Sequence, residues 1–122
     1  MTIRQIGLLL ALSSFAPLAV HAQSFDCRTA RHADEYAICD NEELAALDVR
    51  MSNLYFAILN RLGGLARAQL HAEQVEWLSE RRECGSNVRC LRTKYLQRIE
   101  QLERYRPPQR KLNLEQYSSL PK

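Results

Sequence analysis

Four cysteines, three histidines and a cluster of acids are the groups in this 122-residue chain with chemistry to offer. His32 has Asp34 and Glu35 beside it, His71 has Glu73 and Gln74, and His21 lies in an apolar leader. A metal centre needs several ligands converging on one point with a second layer of groups to orient them. Each of these clusters supplies one histidine and flexible acids, so all three read as bystanders. The cysteines, Cys27, Cys39, Cys84 and Cys90, lack the close C-x2-C spacing of a zinc site. Paired carboxylates cleave glycosidic bonds only when held across a cleft at a fixed separation, and most acids here would complete solvated helix faces. No G-x-S-x-G, H-E-x-x-H or glycine-rich phosphate loop occurs. The chain therefore reads as a non-enzyme, with no catalytic residue, no metal and no cofactor expected.

What remains is the chemistry of association. Asp34, Glu35, Asp40, Glu42 and Glu43 follow one another without an intervening Lys or Arg, whereas the stretch from Arg81 to Lys111 is dominated by bases. Such a dipolar molecule could meet a basic protein through its acidic end, which makes Asp34, Glu35, Glu42 and Glu43 the candidate partner-binding residues. The same charges would also stabilise the helix ends near which they sit. Asp48 and Arg81 are read as an ion pair that fixes helix register. Tyr55 and Gln74 are read as hydrogen-bonding groups at the core edge.

The elements that must position these residues are helices. Met1 to Arg4, an apolar run from Ile6 to Val20 and Val20-His21-Ala22 have the layout of a secretory signal peptide cleaved near Ala22. The run is shorter than the roughly 20 apolar residues of a membrane span. The expected organisation is a signal peptide at 1–22, a helical domain at 23–106 and a polar tail at 107–122, with a periplasmic or secreted location. Loss of Arg4 lowers the formal charge of +3 by one, a balance that does not call for nucleic acid. An even number of cysteines in a small exported domain implies two disulfides. Of the three possible pairings, Cys27 with Cys39 and Cys84 with Cys90 is preferred, because each pair brackets one short loop.

A hook from Phe25 to Cys39 should turn Ala37 and Ile38 inward. Asp40 with Glu43 has the pattern of a capping box, starting a helix at about Asn41. Leu44, Leu47, Met51, Leu54, Tyr55, Ile58, Leu59 and Leu62 then recur at intervals of three and four and trace one apolar stripe. Gly63-Gly64 should end it in a left-handed cap. A second helix is expected from Leu65 to Cys84 through Leu70, Gln74, Trp77, Leu78 and Arg81. A third is expected from Val88 to Arg104 through Leu91, Tyr95, Ile99 and Leu102, stopped by Pro107-Pro108. Folding about Gly63-Gly64 sets Asp48 level with Arg81 and Met51 level with Trp77, and folding about Asn87 sets Arg98 and Ile99 level with Trp77. The predicted fold class is all-α: a small disulfide-stapled antiparallel helical bundle of a short N-terminal hook and three main helices.

Phe25-Asp26-Cys27, Glu35 with Ile38-Cys39, Leu44 with Leu47-Asp48, Tyr55, Gln74 with Trp77-Leu78, Arg81, Cys84, Cys90-Leu91, Tyr95, and Arg98-Ile99 with Leu102 resemble the LprI-like family of bacterial exported proteins. The resemblance covers Phe25 to Leu102. It implies a small helical domain of the periplasm or envelope, with members described as inhibitors of lysozyme that bind the muramidase and block its cleft, protecting peptidoglycan. The chain departs from lipoprotein members, because Ser24, Phe25 and Asp26 rather than a lipobox precede Cys27. No inhibitory residue carries over, since the matching positions read as structural. The expectation is thus a protein-binding domain with lysozyme or another muramidase as partner, without a membrane span. The alternative is an envelope adaptor or stress protein that binds another periplasmic protein through the basic third helix or the tail.

Overall fold

A computed structural model of the protein describes residues 24–108. The expected signal peptide at 1–22 and the tail from 109 onward lie outside the described residues. Within them the chain is all-helical and contains no strand: a short 3-10 turn at Cys27–Thr29 precedes α1 (Ala33–Asp40), α2 (Glu42–Leu59), α3 (Gly64–Glu83) and α4 (Val88–Glu103). None of these helices is long and apolar enough to cross a membrane.

Local chemistry sets the boundaries. At the start of α1 the Glu35 carboxylate reaches back to accept from the amides of Arg31 (2.7 Å) and His32 (3.1 Å), satisfying donors that the first turn leaves free. The cap of α2 differs from the expected one. Asp40 is the last residue of α1, and the chain becomes extended only at Asn41, whose side chain accepts from the Leu44 amide at 3.0 Å. A cap must stand at the extended residue to face the third helical amide, and that residue is Asn41. The helix α2 also ends earlier than its apolar stripe, at Leu59, with two turn bonds carrying the chain through Leu62. Gly64, the first residue of α3, and Gly85, just past its end, take positive φ angles of 53° and 54°, a region that side chains disfavour.

The apolar stripes meet in one core. Leu44, Met51, Tyr55 and Leu59 of α2 pack with Leu91, Tyr95, Ile99 and Leu102 of α4, joined by Ile38 of α1 and by Leu70 and Trp77 of α3. The most extensive helix–helix contact is between α2 and α4. In contrast, α3 stands off from both, and long side chains bridge the gaps. Gln74 reaches Met51 Sδ at 3.2 Å, Arg67 donates to the Leu59 carbonyl, and Arg98 Nε donates to Gln74 Oε1 at 3.1 Å.

Two disulfides join Cys27 to Cys39 and Cys84 to Cys90, with Cα separations of 5.9 and 5.6 Å. They match the preferred local pairing. The first ties the entering chain to the end of α1, and the second closes the short connection between α3 and α4. That connection is tighter than expected, because the Asn87 amide bonds back to the Cys84 carbonyl at 3.1 Å. The fold point therefore lies before Asn87, and Trp77 meets a position on α4 about one turn earlier than Ile99. Its ring contacts Tyr95 edge-on at 5.3 Å, and its Nε1 points to the Lys94 carbonyl at 3.4 Å.

The cap assignment is testable. Asn41→Ala should lower the unfolding free energy by about 1 kcal/mol, whereas Asp40→Ala should leave it nearly unchanged, as read from the midpoints of urea unfolding curves.

Candidate functional site

A connected cluster of polar groups lies inside the described chain. Asp34 of α1 is 1% exposed, Asp48 of α2 is 0% exposed and Arg81 of α3 is 6% exposed. Arg81 Nε donates to Asp34 Oδ2 at 2.9 Å, and its Nη1 donates to the Tyr95 hydroxyl at 3.2 Å. The Tyr95 hydroxyl in turn donates to Asp48 Oδ1 at 2.9 Å, which leaves Arg81 Nη1 and that carboxylate 3.8 Å apart. Asp48 Oδ2 also accepts from the Ser24 amide. One guanidinium thereby links all four helices, and the chain that enters the fold is pinned to the same carboxylate.

Electrostatics fixes the protonation of Arg81 and Tyr95. Burial opposes the charge on Arg81, yet the surroundings supplied by Tyr95 and Asp34 outweigh it and hold the guanidinium above its ordinary pKa. Burial pushes the Tyr95 hydroxyl far above its usual range; Asp48 adds to that push and Arg81 opposes it. Tyr95 consequently remains a donor. The Arg81 guanidinium also lies 5.8 Å from the centre of the Trp77 ring, within the range of cation–π attraction. The one orphan in the cluster is Asp34 Oδ1, which is buried without a hydrogen-bond partner. These groups are consumed by one another, so their arrangement serves to hold the helices together.

The sequence-derived candidate acids take four different roles. Asp34 lies inside the fold, Glu35 closes the α1 cap, Glu43 pairs with Arg92 of α4, and Glu42 stands exposed in the first turn of α2. They do not assemble into one surface patch. The backbone bond from Arg31 is the largest influence on Glu35 and, with that from His32, holds its carboxyl below the usual carboxylate range. Asp48 and Arg81 do meet, although the shorter contact of Arg81 is to Asp34. Gln74 and Tyr55 are buried, with Gln74 bridging Met51 and Arg98. His32 and His71 gather no metal-binding group among the described residues.

Two concave surfaces flank α3, as its stand-off requires. Between α2 and α3 lies a groove of about 480 Å³ walled by Phe25, Tyr55, Phe56, Leu59, Val75 and Leu78, with Asp48 and Arg81 at one end and Glu35 beside them. Between α3 and α4 lies a cleft of about 360 Å³ lined largely by polar groups, with Trp77 and Leu102 as its apolar members.

Sequence reasoning did not find the hub role of Tyr95 or the pairing of Arg81 with Asp34. Tyr95 falls on the apolar stripe of α4, where periodicity counts its ring and says nothing of its hydroxyl. A tyrosine placed mid-stripe, level with a buried arginine, is the signal that could have flagged it. Asp34 precedes the first long helix, so no hairpin register could place it.

Two outcomes follow from this geometry. Tyr95→Phe removes the shared hydroxyl and should destabilise the fold by about 3 kcal/mol, while Arg81→Met, which leaves two buried carboxylates without their cation, should cost about 3 to 5 kcal/mol; equilibrium unfolding in urea measures both. A carboxyl whose folded pKa is depressed contributes stability above its unfolded pKa and loses it as pH falls through the folded one. Thermal stability should therefore decline through the acid range, and Glu35→Gln should remove part of that decline, as followed by circular dichroism.

Comparisons with protein-family models, with curated proteins and with solved structures match this chain to none of them.

Proposed function

We propose that this chain is an exported protein-binding domain of the cell envelope and that its partner is a basic muramidase such as lysozyme, whose activity it inhibits. The observation that carries this reading is the α2–α3 groove. Of the six large apolar side chains exposed among the described residues, Phe56, Val75 and Leu78 all line it. Scattered exposed apolar residues are ordinary, but a cluster along one concave surface is the usual mark of an interaction site. Glu35, which lines the groove, favours a cationic side chain at that end. Absorption of Asp34, Asp48 and Arg81 into one structural cluster argues for binding rather than catalysis, and two disulfides suit an oxidising compartment.

The likeness to LprI-like proteins at Gln74, Trp77, Arg81 and the four cysteines supports the same partner. The finer architecture belongs to this proposal as well: the cross-contacts of Leu59 with Arg67, Met51 with Gln74 and Asp48 with Arg81 support an antiparallel arrangement of α2 and α3. In this reading the partner inserts an apolar side chain between Phe56 and Val75 and sets a basic one against Glu35.

The test is titration of the oxidised protein into a c-type muramidase while lysis of cell-wall substrate is followed at low and moderate salt. Stoichiometric inhibition that weakens with salt is expected. Val75→Arg, at a half-exposed position that does not support the core, should weaken inhibition at least tenfold. Undiminished lysis at molar excess of the protein would overturn the proposal.

A further inference from the structure

The cleft between α3 and α4 holds an anomaly that the fold does not explain. Three buried side-chain polar atoms in the described chain lack a hydrogen-bond partner, and two of them, Arg98 Nη2 and the Tyr105 hydroxyl, belong to residues lining this one cleft. Arg98 is only 5% exposed, and its other donors are used: Nε by Gln74 and Nη1 by Gln101. Unpaired buried donors are rare because each forfeits its hydration without return. Both belong to residues of one cleft, which makes that cleft the candidate site for an outside hydrogen-bond acceptor.

The rest of the lining says what that is. Glu73, Glu76 and Glu80 face the same cleft, Trp77 and Leu102 form its apolar wall, and Gln101 stands beside Arg98. Glu80 is paired with Lys94 at 2.7 Å, and Glu73 accepts from Gln69 at 3.1 Å. Burial lowers the Arg98 pKa against the opposing influence of Glu73, and Glu73 adds to the burial that raises Tyr105. Arg98 and Tyr105 thus line one cleft with Glu73, Glu76 and Glu80, and Glu73 is within electrostatic reach of both. After Lys94 offsets Glu80, two carboxylates face the single charge of Arg98. A simple anion would be repelled by the glutamates, and a simple amine would leave Arg98 Nη2 and the Tyr105 hydroxyl unsatisfied.

We infer that the α3–α4 cleft binds a basic α-amino acid, free or as the C-terminal residue of a peptide. Its carboxylate takes hydrogen bonds from Arg98 Nη2 and the Tyr105 hydroxyl as these turn toward the cleft. Its side-chain cation is held by Glu73 and Glu76, and its alkyl chain lies against Trp77 and Leu102. The net positive charge of such a ligand, when carried on a free amino acid, matches the surplus carboxylate of the lining. This site is separate from the α2–α3 groove and does not depend on the muramidase proposal.

Trp77 is the only tryptophan of the chain, so its fluorescence reports on the cleft directly. Titration of the full oxidised chain with L-lysine, L-arginine and Gly-Gly-Lys should give a saturable change in emission for at least one of them. Tighter binding of Gly-Gly-Lys identifies a peptide terminus as the ligand, and tighter binding of the free amino acids identifies a metabolite. Norleucine, which lacks the side-chain cation, and cadaverine, which lacks the carboxylate, should each bind about tenfold or more weakly. Tyr105→Phe removes a hydroxyl that no protein group uses and should weaken binding about tenfold without lowering the unfolding midpoint. Glu73→Gln should weaken lysine more than norleucine. Absence of saturation with every basic probe, equal binding of norleucine or cadaverine, or undiminished binding in the Tyr105→Phe, Glu73→Gln double variant would overturn the inference.

Discussion

The burial of Arg81 between two carboxylates is the constraint around which this fold is arranged. An isolated charge in such a place would be prohibitively unfavourable, and a buried pair is tolerated only when its remaining donors and acceptors are met. Here the requirement is distributed over four helices: α1 supplies Asp34, α2 supplies Asp48, and α4 supplies the Tyr95 hydroxyl that mediates between guanidinium and carboxylate. No helix can slide without leaving one of these groups unpaired. Apolar packing between α2 and α4 provides bulk cohesion without direction, whereas the Arg81 cluster selects one register among those the stripes would permit.

Much of the fold was legible because helical periodicity and loop chemistry are local properties. The stripes of α2 and α4 appear in the sequence at intervals of three and four, Gly85 and Asn87 mark the connection between α3 and α4, and the short loops that the cysteines bracket favour the local pairing among three that sequence leaves open. The misread features each depended on geometry at finer grain. Whether Asp40 or Asn41 caps α2 turns on which residue leaves the helical region first, and both are good capping types. The height of Trp77 on α4 depends on how many residues the connection consumes, which the Cys84–Asn87 backbone bond decides.

The candidate site was less legible than the fold. An acidic run in sequence gives no indication of which carboxylates face inward, and α1 turns Asp34 toward the core while its neighbour Glu35 closes a cap. The groove of Phe56, Val75 and Leu78 was hidden for a related reason. The spacing of Leu78 three residues before Arg81 sets it on or beside the inward face of its helix, yet α3 stands off from α2 and leaves Leu78 at the edge of a gap. Stand-off distance between helices is a property of side-chain length on facing surfaces, and a binary apolar pattern does not encode it.

The same stand-off makes α3 the shared wall of both concave surfaces. It is tethered to α4 by a disulfide at one end only, and elsewhere it is held by long side chains rather than close backbone packing. A rigid helix that leans toward α4 widens the groove on one side while narrowing the cleft on the other. Were an occupant to wedge one of them open by tilting α3, it would narrow the other, and by linkage that opposition would be reciprocal.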